Sequence, residues 1–212
     1  MRTENLVRAL AADNTIRAHS VEQRLAIAMV PALALAAAMF LLGLGPRPDF
    51  AVAMANPQVI LKFVITLSLA ATAMVLACRL ARPACATKIP ALSLLAAPAL
   101  LVFAVLVELF RSQPASWTMK LVGTDLLVCL VSIPLLALPM LVAALLALRH
   151  GAPLRPALAG AVAGLLAGGL GAALYAFYCP NDSPLFGAAW YTLAIAEVVI
   201  VGSITGRIVL KW

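Results

Sequence analysis

Few side chains in this 212-residue chain could do chemistry: four cysteines, two histidines and eight acidic residues. Two thiols at similar depth in a fold can form a disulfide or jointly hold a soft metal ion. Cys129 and Cys179 are the candidates, because each has a carboxylate close by in sequence. Asp125 lies four residues before Cys129, on the same face of any helix there, and Asp182 lies three residues after Cys179. A thiol pair backed by two carboxylates suits a sensor of oxidation or of a thiophilic metal. The alternative is two unrelated cysteines, with Cys129 serving as a small apolar side chain. Cys78 and Cys85 are separated by six residues that include Pro83 but no His or Asp, which makes a weak metal site. No phosphate loop, nucleophile elbow, zinc motif or dinucleotide fingerprint is present, and neither His19 nor His150 supports one. No enzymatic activity and no cofactor is expected.

The elements that must position these residues follow from composition. The chain is 65% hydrophobic and 11% charged, with a mean hydropathy of +1.08. Soluble domains are about 45–50% apolar and about 25% charged. A membrane span needs about 20 apolar residues. Six such segments fit, at 25–45, 60–78, 89–110, 125–148, 157–178 and 187–209. The breaks between them carry turn residues, as in Gly45-Pro46-Arg47-Pro48-Asp49 and Cys179-Pro180-Asn181-Asp182-Ser183-Pro184. The expected fold is an all-α polytopic bundle of six transmembrane helices, residues 25–212, preceded by an amphipathic tail, residues 1–24. No room is left for a separate catalytic or nucleic-acid-binding domain.

The net charge of +7 and the pI near 9.8 act here as a topology signal, and direct nucleic-acid binding is not expected. An even number of spans puts both termini on one side. Eleven of the fifteen Lys and Arg fall on that side and four, Arg47, Lys62, Arg111 and Lys120, on the other. Both termini are therefore expected to be cytoplasmic. Cys129 then lies about one turn into span four from the outer face, and Cys179 opens the outer loop after span five, so the two share the oxidising side. The polar lead and long apolar stretch of the first 45 residues fit a retained span better than a cleaved signal peptide.

Within the spans, Gly160, Gly164 and Gly168 recur on one face of span five, and Gly202 and Gly206 on one face of span six, a helix-packing pattern. Pro98, Pro134 and Pro139 are expected to kink their helices. Glu197, near the middle of span six, is the acid placed deep in hydrocarbon. Such a residue suggests an ion or proton pathway, or else a neutral side chain hydrogen-bonding neighbouring helices.

The tail is the longest extramembrane segment. Thr3 is a good N-cap, and Leu6, Val7 and Leu10 fall on one face of a short helix. A helix of about ten residues is marginal alone and should fold against a partner groove or the bilayer. Ser20-Val21-Glu22-Gln23 then fits a capping box at the entry to span one.

Taken together, these pieces resemble the NrsF family of six-span bacterial membrane proteins, anti-sigma factors against extracytoplasmic-function (ECF) sigma factors. The resemblance rests on Met1-Arg2-Thr3-Glu4-Asn5-Leu6 with Leu10-Ala11-Ala12-Asp13, the Gly45–Asp49 loop, Val59-Ile60-Leu61-Lys62, the segment around Cys129, and Tyr178–Pro184 followed by Trp190-Tyr191. It implies a tail that sequesters an ECF sigma factor at the bacterial inner membrane, with Leu6, Val7 and Leu10 as anchors. It also implies that Cys129 and Cys179 form the signal-sensing pair; Asp125 and Asp182 beside them, and the two thiols as metal ligands, come from residue type and spacing alone. Cys78 and Cys85 have no place in that pattern. A small transporter or channel working through Glu197 is the alternative, and a membrane oxidoreductase comes third, for want of a facing His pair.

Overall fold

A computed structural model describes residues 20–82, 88–151 and 153–211. Among them there are six helices long and apolar enough to cross a membrane: Val21–Gly43, Pro57–Leu80, Ile89–Arg111, Leu126–Leu148, Pro156–Ala176 and Pro184–Val209. These are spans one to six, and no strand accompanies them among the described residues. The tail anchors Leu6, Val7 and Leu10, with His19 and Cys85, lie outside the described residues.

Local chemistry explains where the spans begin. Ser20 and Gln23 form the expected capping box, each side chain bonded to the other's backbone N–H at 3.3 and 3.2 Å. Asn56 caps span two with Pro57 at its first position, and Ser183 caps span six ahead of Pro184. Span four runs unbroken as helix through Pro134 and Pro139. Span three is interrupted instead. It consists of Lys88–Ser93 and Ala96–Arg111, and the break lies just before Pro98. Pro98 has no N–H to offer the Leu94 carbonyl, so the ladder stops there and Pro98 sits in the first turn of a new helix, where no donor is needed.

Span five is the hub, mostly enclosed by spans two, four and six. Its glycines explain how three neighbours can crowd one helix. A Cβ at Gly160 would lie 2.1 Å from the Gly202 carbonyl oxygen, and one at Gly164 would lie 2.7 Å from that of Val198. These are backbone atoms that cannot step aside, so the expected small-residue face is the seam between spans five and six. Gly169 plays the same part toward Thr66 and Ala70 of span two, and Gly171 toward Ile133 and Ala137 of span four. Span three is peripheral. It touches span two and the start of span six, then diverges, leaving a cavity of about 450 Å³ walled by such side chains as Leu61, Ile65, Leu101 and Ile195.

Two buried clusters fill the bundle. One lies toward the end where the Glu22 and Arg82 side chains pair at 3.0 Å; the other lies toward the opposite end, under the loops that follow spans one, three and five.

Candidate sensing site

The loops following spans one and five are joined by main chain and charge. Gly45, at φ 70°, turns the chain out of span one, and Arg47 then donates its backbone N–H to the Phe177 carbonyl at 3.0 Å. The Phe177 ring is packed by Phe50 and Phe63, with centroids 5.0 and 4.9 Å away. The Arg47 guanidinium grips Asp49 through Nε and Nη2 at 2.9 and 3.1 Å. Its Nη1 reaches both Asp182 carboxylate oxygens at 3.2 Å and the Cys179 carbonyl at 3.3 Å. Lys62, from the second turn of span two, extends its stem to place Nζ 2.7 Å from Asp182 Oδ1 and 3.3 Å from the same Cys179 carbonyl. Burial alone would lower the Arg47 pKa, but hydrogen bonds and charge from Asp49 and Asp182 outweigh it and hold the group above its ordinary value.

The loop before span four is tied to the same place. Thr124 and Asn181 exchange two hydrogen bonds, N to Oδ1 at 3.4 Å and Nδ2 to Oγ1 at 3.3 Å. Gly123, at φ 61°, makes this approach possible, since a Cβ there would lie 2.6 Å from the Phe186 ring. Trp190 donates its indole N–H to the Leu121 carbonyl at 2.7 Å.

Beneath these ties lie the two thiols. Cys129 and Cys179 are both fully buried. They share one cluster with Phe40, Tyr175, Phe186 and Tyr191. The Tyr175 and Tyr191 rings pack against each other there, with centroids 5.8 Å apart. Disulfide formation and soft-metal ligation are the chemistries of paired thiols, and each depends on how closely the two sulfurs approach.

The carboxylates do not join the thiols. Asp182 is committed to Arg47 and Lys62, while Asp125, at the head of span four, accepts the Thr124 hydroxyl at 2.7 Å. Among the described residues no three His, Cys, Asp or Glu side chains converge as a metal group. Arg47 and Lys62 enter the sequence reading as two of the four cations on the sparsely basic side and as members of two of the family-like segments, without a role of their own. That exception to the charge bias, opposite Asp182, was the signal that they are structural. Glu108 was missed altogether. It is buried near the end of span three, bonded by Lys120, by Ser112 at 3.1 Å and by Gln58 at 2.8 Å.

Glu197 departs from both expectations. It faces out of the bundle, hydrogen-bonds no neighbouring helix among the described residues, and does not line the cavity between spans two, three and six. Helical phase decides this: Val198 and Ile195 turn inward, so Glu197 turns away.

Residues 10–212 match the family model described as NrsF, negative regulator of sigma F. The chain belongs to the NrsF family. Two curated NrsF relatives align with all of this chain and over their own full lengths: a probable anti-sigma-F factor of Azospira oryzae, 33% identical, and an anti-sigma-F factor of Caulobacter vibrioides, 34% identical. No solved structure matches the chain. In this NrsF chain the Arg-Pro-Asp turn, the span-two lysine and the Cys-Pro-Asn-Asp-Ser loop form a single bonded unit around Asp182.

Proposed function

We propose that this chain is a membrane-bound anti-sigma factor that holds an ECF sigma factor through residues 1–24 and releases it when Cys129 and Cys179 are oxidised or capture a soft metal. The regulatory, non-enzymatic role follows the family and the names of its two relatives. Placement in the bacterial inner membrane with cytoplasmic termini rests on the charge count of eleven against four. The observation that carries the sensing role is the shared burial of Cys129 and Cys179 in one cluster at the loop end, opposite the end from which the tail departs.

Oxidation would join the two sulfurs, with two protons and two electrons passing to a two-electron oxidant such as a peroxide. Moving the Cys179 sulfur would pull on a residue whose carbonyl Arg47 and Lys62 both hold, and so on spans one and two. Release requires that the two thiol states favour different helix arrangements. A transport role through Glu197 has no support in the geometry, because among the described residues that side chain faces outward and does not line the cavity between spans two, three and six.

Two measurements test the reading. The tagged protein, extracted from membranes with and without residues 1–24, should retain a sigma subunit only when the tail is present. In a background with all four cysteines changed to Ser, an Ala51→Cys reporter on the exposed loop should react with an impermeant thiol reagent in intact cells. Reaction only after lysis would reverse the orientation and end the sensing role.

A further inference from the structure

Glu197 stands at the midpoint of Pro184–Val209, roughly 18–20 Å along the helix from either end, and its side chain is exposed. A glutamate is too short to reach the interface from that depth, and hydrocarbon supplies no water to solvate it. Among the described residues it has no hydrogen bond or ion pair. A polar group in that position is stable only if something outside this chain's own bundle satisfies it. The surrounding face says what shape that must be. Leu193, Ile200, Ile204 and Ile208 are exposed on the same side, and with Glu197 they step by four, three, four and four residues. That spacing keeps a stripe in contact with one straight neighbouring helix.

We infer that this face docks a second copy of the chain, span six against span six, about a two-fold axis along the membrane normal. A protonated carboxyl is both donor and acceptor, so two identical groups satisfy each other. A two-fold interface brings a residue on its axis opposite itself, which is the geometry such a pair requires. No lysine or arginine is exposed at this depth among the described residues, since Lys62 is buried against Asp182 and the others lie toward the helix ends or in loops. Glu197 is the polar position at mid-depth in this seam, with Arg207 exposed beside it only in the last turn, and so it fixes the register as one buried asparagine does in a coiled coil. The inference does not depend on what the tail binds or on the thiol pair.

The test uses the full-length protein in liposomes, labelled at one site and followed by energy transfer between copies over a range of protein-to-lipid ratios. The wild type should associate. Glu197→Leu should associate about tenfold more weakly, because one interhelical hydrogen-bonded pair is lost, while its helicity and melting stay unchanged at a position that already faces lipid. Glu197→Gln, which keeps a donor and an acceptor, should associate nearly as the wild type does. In a background without native cysteines, Ile204→Cys should cross-link to itself on oxidation. A protein that stays monomeric at every density overturns the inference. So does a Glu197→Leu variant that associates as tightly as the wild type, or association that appears only with another protein of the native membrane added.

Discussion

Lys62 and Asp182, 120 residues apart in the chain, form an ion pair of 2.7 Å that is largely shielded from solvent. Arg47 approaches the same carboxylate from a third segment, so one aspartate joins the loop after span one, the second turn of span two and the loop after span five. Removing the anion leaves two cations facing each other in a poorly solvated site. Asp182→Asn should therefore destabilise the bundle by about 3 kcal/mol, at the lower end for breaking a buried pair because all three side chains keep some exposure. Thermal unfolding in detergent checks this. The double change Lys62→Met with Asp182→Asn should cost less than the sum of the single changes, and strict additivity would show that the pair does not act as a unit.

Cys129→Ser and Cys179→Ser should each leave sigma binding intact while blunting induction by oxidants or soft metals. Each thiol is buried, and serine is close to isosteric, so the fold should survive. A transcriptional reporter read with and without the stimulus decides the matter, and normal induction in both single variants would remove the sensing role.

Gly160→Ala should be poorly tolerated. Its Cβ would be driven to 2.1 Å from the Gly202 carbonyl oxygen, and neither helix can yield without parting spans five and six. The expected loss is about 1–3 kcal/mol, visible as a lowered melting temperature. Gly187→Ala is the control, since nothing lies within 4 Å of a Cβ there, and it should be neutral. Equal effects at the two sites would refute the packing account.

Leu6→Asp and Leu10→Asp should release the sigma factor without altering membrane insertion, because a charge on the apolar face of the tail removes what a partner groove would bury. Co-purification from membranes reads this directly; a sigma factor still retained by both variants would take the tail out of the mechanism.

Much of this architecture could be read without coordinates. The six spans, the Ser20–Gln23 capping box and the glycine faces of spans five and six are consequences of hydropathy, local hydrogen bonding and side-chain size, all of which act over a few residues, whereas the pairing of those two faces emerged only in the fold. Pro98 shows the limit of local reading. Its effect appears as a break one turn upstream of the proline, because the bond it deletes belongs to the Leu94 carbonyl. Asp182 was singled out for its nearness to Cys179 in sequence, yet its charge is spent on Arg47 and Lys62. That outcome depended on which loops meet.

The length of its apolar segments by itself determined that the chain builds six membrane-spanning helices, and charge counting suggested which way it faces. Only the tertiary structure decided that Cys129 and Cys179 share one dry cluster, that Asp182 ties three segments, and that Glu197 looks outward. The reason is physical: in a chain that is apolar nearly everywhere, hydrophobicity marks what enters the membrane but cannot tell a buried face from a lipid-facing one. That distinction belongs to helix phase and packing, which exist only once the spans are assembled.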